Sequence, residues 1–218
     1  MSNKALVLLS GGQDSATCLA VACNSGVDSV QAVTFDYGQR HRIEIEKAQI
    51  LADIAGVPIR VINAKFIGEL SQNALTDFDQ EIKQNPGELP STFVPGRNLF
   101  FLSMAGVLAR QAGIKQIYTG VCEADFSGYP DCRSDFIESA EQSINLAMET
   151  TIKIVTPLMQ LTKAETVKLM SQHGKLPWYA QTHTCYEGLI PACGRCPACQ
   201  LRLQGFKEAG VVDPLPYQ

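Results

Sequence analysis

The chain has 218 residues, 45% of them apolar and 18% charged, and a formal net charge of −4. That mix supplies a full globular core and excludes long disorder. The acidic balance argues against a protein that grips nucleic acid through its phosphates, and no run of about 18 apolar residues offers a membrane span.

The first ten residues, MSNKALVLLS, are too short and too soon interrupted for a signal peptide, so a cytoplasmic location with reduced thiols is expected. An apolar run over 4–9 reads as a buried parallel strand ending in Ser-Gly-Gly. A helix follows over 15–24, a second strand over 30–35, a helix over 40–55 and a third strand over 59–62. Residues 66–90 are polar and read as short helical pieces within an exposed loop. The run over 98–112 is apolar almost all round, which predicts a buried helix. A strand over 116–121, a helix over 133–148 and a strand over 152–155 come next. Thr162 and Glu165 have the spacing of a capping box that opens a helix running to about 173. Alternating strands and helices predict an α/β fold, a doubly wound parallel sheet over 1–175. Trp, Pro, Gly and Cys gather afterwards, and 176–218 is expected to be a small metal-stapled lobe.

Ser10-Gly11-Gly12-Gln13-Asp14-Ser15 sits between the first strand and the first helix. Paired glycines let backbone amides approach a ligand, and a helix N-terminus favours an anion. A carboxylate at Asp14 would repel phosphates unless it holds a backbone amide or Mg²⁺. The alternative is a plain turn capped by Asp14 or Ser15. The hexapeptide has neither a Walker lysine nor GxGxxG spacing.

Cys185, Cys193, Cys196 and Cys199 cluster in the last quarter of the chain. Four thiolates in this spacing suit one structural Zn²⁺ per chain; an iron–sulfur cluster is the nearest rival. His183, two residues before Cys185, could compete as a ligand, but a lone His is more often structural or solvated and four cysteines already suffice. Cys18, Cys23, Cys122 and Cys132 are isolated and read as small core residues. A nucleophilic role for Cys132 would need a depressed pKa.

The hexapeptide resembles the SGGxDS signature of the PP-loop ATP pyrophosphatase superfamily. The segments at 34–41, 93–98 and 123–133 and the cysteine cluster narrow the resemblance to the 7-cyano-7-deazaguanine synthase family, over about residues 4–203. The resemblance implies that Leu8, Leu9, Ser10, Gly11, Gly12, Gln13, Asp14, Ser15, Ala16, Thr17 and Cys18 cradle ATP, with Mg²⁺ accompanying it. It implies catalytic roles for Asp14, Ser15, Arg97 and Lys163: Arg97 would contact phosphate or carboxylate, or else form a structural ion pair, and Lys163 would reach toward the α-phosphate, or equally stay solvated. The expected substrates are 7-carboxy-7-deazaguanine, ammonia and ATP, the protein a homodimer without a nucleic-acid partner.

Asp36 and Tyr37 would serve the adenosine half of ATP; equally, Asp36 could cap the helix near Arg40. Arg40 and His41, with Arg42, would meet an anion at that helix start, or form a surface salt bridge. Glu123, Asp125, Phe126, Tyr129, Asp131 and Arg133 are the candidates for the deazapurine. The acids would accept from a guanine-type edge, the rings would stack and Arg133 would meet the carboxylate. The alternative for that stretch is an acidic surface loop. Two other functions remain: a tRNA-thiolating PP-loop adenylase and a non-catalytic zinc-ribbon interaction module.

Overall fold

Five short apolar runs become the strands of one sheet: β1 (Lys4–Leu8), β2 (Ser29–Asp36), β3 (Ile59–Asn63), β4 (Gln116–Tyr118) and β5 (Lys153–Val155). In this computed structural model all neighbours pair in parallel, in the order β3-β2-β1-β4-β5. The described residues are 3–39, 42–71, 73–77, 79–80, 82, 88–123 and 129–218. Side chains alternate across a strand, so β1 sends Ala5 and Val7 into one core cluster and Leu6 into the other. Both faces are therefore covered, as a parallel sheet requires.

Helices α1 (Gln13–Cys23), α2 (Ile43–Ala55), α6 (Lys163–Gln172) and α7 (Pro197–Ala209) contribute to the first cluster through Leu19, Leu51, Val167 and Phe206. Helices α4 (Arg97–Ala112) and α5 (Ser134–Met148) contribute to the second through Leu102, Ile137 and Ile144. The doubly wound α/β fold expected from the alternation is the one found. The capping box is also formed: Thr162 accepts from the Glu165 amide, and Glu165 accepts from that of Thr162.

Two expectations need correction. Helix α4 is not buried all round: Leu99 and Val107 are 44% and 45% exposed. One stripe faces the sheet and α5. There Gly106 admits Ile144 so closely that a Cβ would lie 2.8 Å from its Cγ2. The polar segment after β3 forms α3 (Phe66–Glu69), yet Asn73, Ala74 and Leu75 are buried. Asn73 Oδ1 accepts from the amides of Leu75 and Thr76, a local turn that carries Leu75 inward.

Packing crosses position 176. Tyr179, in a 3₁₀ turn over Leu176–Gln181, meets Phe206 edge-on at 5.4 Å within the α1–α2 core. The four clustered cysteines form a separate small cluster with Tyr186, Leu215 and Tyr217 around them. Among the described residues no helix is long and apolar enough to cross a membrane.

Candidate active site

The chain leaves β1 toward β2 on one side and reaches β4 on the other side of β1. Ligands of doubly wound sheets bind at this crossover, beyond the strands' carboxyl ends. The loop after β1 turns there because Gly11 adopts φ +87°, a conformation open chiefly to glycine. A Cβ on Gly11 would stand 2.2 Å from the Glu44 carbonyl oxygen. Gly120, just past β4, also packs closely: a Cβ would lie 3.0 Å from the Asp14 carbonyl carbon. Hydroxyls close the turn. Ser15 Oγ donates to the Gly12 carbonyl at 3.1 Å, and Ser10 Oγ lies 3.1 Å from Ser15 Oγ.

A cavity of about 310 Å³ opens over this loop, within the range of small-molecule sites. Leu8, Leu9, Ser10, Gly12, Gln13, Asp14 and Ser15 line it. Gly11 instead backs onto α2, while Ala16, Thr17 and Cys18 point into the core as fully buried residues. Burial pushes the Cys18 thiol well above its ordinary value, and the Asp14 charge adds to that. Lys163, at the start of α6, donates to Asp14 Oδ2 at 2.6 Å from a side chain only 12% exposed. The other oxygen, Asp14 Oδ1, is buried without a hydrogen-bond partner among the described residues, as are both polar side-chain atoms of Gln13.

The opposite end of the cavity is aromatic and basic. Phe35 stacks on Phe101 at 4.4 Å, and both line the cavity with Leu75 and Tyr37. Arg97 donates to Tyr37 Oη at 3.4 Å and lies over its ring. Burial pushes the Tyr37 phenol up to about 12, so it stays a neutral donor at neutral pH. Asp36 does not line the cavity. It accepts from the Gly38 amide and pairs at the surface with Arg42 and Lys65.

Of the residues expected to meet the deazapurine, Tyr129 lines the cavity. Glu123 Oε2 accepts from the Ser134 amide and hydroxyl, capping α5. Asp131 Oδ2 accepts from the Asn98 amide at 3.0 Å, satisfying an orphan donor of α4. Arg133 is exposed and stands in a separate surface groove. Arg40, His41, Asp125 and Phe126 lie outside the described residues. Cys132 does reach the cavity. Burial and the Asp131 charge push its thiol up to about 12, against thiolate chemistry.

The cavity also holds residues that local pattern reading missed. Glu44, on the first turn of α2, lines it, and burial pushes its carboxyl up to about 7. His183, Thr184 and Tyr186 close it from the C-terminal segment. The His183 amide donates to the Gly11 carbonyl at 2.9 Å, while its Nε2 is buried without a partner. Buried Arg202 braces this segment, donating to Thr182 and Thr184 and pairing with Asp213 at 2.8 Å.

The sulfurs of Cys185, Cys193, Cys196 and Cys199 all lie within 4.8 Å of one another, and all four residues are buried. Backbone amides point at them: Cys193 N at Cys185 Sγ, Cys196 N at Cys193 Sγ, and Tyr186 N at Cys196 Sγ, at 3.3–3.5 Å. Such donors stabilise thiolates, and four converging sulfurs can hold a tetrahedral metal ion.

Comparison with known proteins agrees with this geometry. The family described as queuosine biosynthesis protein QueC matches residues 4–210. The chain is 52% identical over 207 residues to 7-cyano-7-deazaguanine synthase of Bacillus subtilis, covering 94% of each chain. It is 49% identical over 216 residues to the protein of that name from Chromobacterium violaceum, covering 97% of this chain and 92% of the relative. Among solved structures, NMN synthetase from Francisella tularensis shares the fold with a TM-score of 0.54 at 14% identity. That match covers 97% of this chain and 79% of the other.

Proposed function

The chain belongs to the queuosine biosynthesis protein QueC family, and from that premise we propose that its cavity turns 7-carboxy-7-deazaguanine, ammonia and ATP into 7-cyano-7-deazaguanine. The chemistry sets what the site must do. A carboxylate resists ammonia because an oxide would have to leave. Attack of the carboxylate on the α-phosphate expels pyrophosphate and makes AMP the leaving group. Ammonia then adds at the carbonyl carbon, loses a proton and displaces AMP, giving the amide. The amide oxygen attacks a second α-phosphate, expelling pyrophosphate again, and loss of AMP and of both N–H protons leaves the C≡N bond.

The chain's own groups suit these demands. Ser10, Gly12, Gln13, Asp14 and Ser15 line the cavity at the N-terminus of α1, where free amides suit a triphosphate tail. Lys163 is held beside them by Asp14 and can meet charge that develops at the α-phosphate. Arg97 offers a planar fork to the substrate carboxylate. The unpartnered Asp14 Oδ1 fits a Mg²⁺ ion carried with ATP, which when bound would neutralise phosphate charge. The four-cysteine cluster fits Zn²⁺ in a closed structural role, since the proposed reaction has no redox step. A cytoplasmic homodimer without a nucleic-acid partner completes this reading.

One observation carries it: the Gly11 bend sets Asp14, Ser15 and Lys163 at the sheet's crossover inside a single cavity. The test is release of AMP and pyrophosphate from ATP. The reading requires release that depends on both 7-carboxy-7-deazaguanine and ammonium; release that depends on tRNA, or none at all, overturns it.

A further inference from the structure

We propose that Glu44 recognises the guanine-type edge of the substrate, its two carboxylate oxygens accepting from the ring N–H and the exocyclic amine. This rests on the function proposed above and names the residue that sets specificity within the same site.

Four observations converge on it. First, Glu44 is fixed in relation to the nucleotide loop, because its carbonyl oxygen packs directly behind Gly11. Second, its side chain lines the cavity, and among the described residues none gives its carboxylate a hydrogen bond or an ion pair. A half-buried carboxylate in that condition gains when donors reach it. Third, the acid belongs to the Arg97 end of the cavity. Its charge acts on Tyr37 and Tyr186, and Arg97 acts on it. Asp14 and Lys163 act on Cys18 instead. An acid at one side and a guanidinium at the other can hold the two polar extremities of one flat heterocycle. The Phe35–Phe101 stack lines the same space.

Fourth, the other candidate acids among the described residues are engaged, Asp14 through one of its oxygens. Glu123 and Asp131 each hold a helix amide, and Asp14 holds Lys163. A carboxylate accepts two parallel donors side by side, which neither a hydroxyl nor an amide can do. Burial raises the Glu44 carboxyl to about 7, and donors to the charged form lower it again. Substrate binding therefore draws the proton off, against the facing Tyr37 and Tyr186 and with the help of Arg97.

The experiment compares 7-carboxy-7-deazaguanine with its analogue lacking the exocyclic amine, for the wild type, Glu44→Gln and Glu44→Asp. The wild type should prefer the parent acid by on the order of 10²-fold in kcat/KM, and its KM should rise as pH falls below about 7. Glu44→Gln presents an NH₂ group to the amine, donor against donor. It should lose on the order of 10²-fold with the parent, chiefly in KM, keep the analogue within a few-fold and lose the pH dependence of KM. Glu44→Asp should keep the preference with a raised KM.

Equal loss of kcat on both acids in Glu44→Gln would assign the residue to proton transfer and overturn the proposal, as would unchanged kinetics. If Glu44→Gln fails to fold, a wild type indifferent to the exocyclic amine overturns it without any variant. Absence of AMP release from either acid by the wild type overturns the proposed function itself.

Discussion

The loops after β1 and after β4 occupy equivalent places at the carboxyl edge of the sheet, and they employ their acids in opposite ways. After β1, Asp14 faces the cavity, paired to Lys163 and with one oxygen unpartnered. After β4, Glu123 and Asp131 hold the amides that begin α5 and α4. Proximity to the crossover brings acids near a ligand; the helices that start there decide which remain available. Each helix start leaves four amides without partners, and the acids that the fold brings against α4 and α5 are drawn to them.

The sharpest way to break this contrast is to remove the first pair of side chains. Asp14→Ala and Ser15→Ala should each lower turnover by about 10³-fold or more while thermal unfolding stays cooperative; near-normal rates in either variant would empty the loop of its role. Next comes the cysteine cluster. Cys196→Ser removes one converging sulfur from a type of site that supplies roughly 10–16 kcal/mol in small zinc domains. Bound metal should fall below one per chain, and Tm should drop by about 10 °C or more; unchanged metal content excludes Cys196 as a ligand. Asp131→Ala should behave as a lost cap, costing about 1 kcal/mol and about 2–4 °C in Tm. A raised KM with unchanged Tm would return Asp131 to the substrate.

A last effect is a pH dependence of the unliganded protein. The Glu44 carboxyl is raised from 4.5 to about 7 on folding, so the folded chain binds the extra proton between those values. Its contribution to stability is whole below about 4.5 and is lost as pH rises to 7. Glu44→Gln should flatten that part of the profile in denaturant titrations. An identical slope in both proteins would show that burial does not perturb this carboxyl.

Much of this was legible in the sequence because it is local. The strands were bounded by Gly, Pro and the change from apolar to polar runs. The Thr162–Glu165 box declared its own helix, and the cysteine spacing its own cluster. What escaped was set by distance along the chain. Glu44 lies in the run Ile43-Glu44-Ile45-Glu46-Lys47, which reads as an ordinary exposed helix start. Only its packing against Gly11 turns it inward. Arg202 looks like a solvated helix residue, yet it is 1% exposed because Asp213 and the Thr182–Thr184 backbone fold over it. Leu75 sits in a stretch whose polarity argued for exposure, and a single Asn73 turn reverses that. Glu123 and Asp131 carried the right chemistry, but sequence does not show which amides will claim them.

The hydrogen bond from the His183 amide to the Gly11 carbonyl has a thermodynamic corollary. Cys185 follows two residues later, so a run of three residues tethers the sulfur knot to the bend where the triphosphate is proposed to sit. On that proposal, loosening the knot weakens triphosphate affinity. By reciprocity, an occupied bend then tightens metal binding at the thiols by the same free energy.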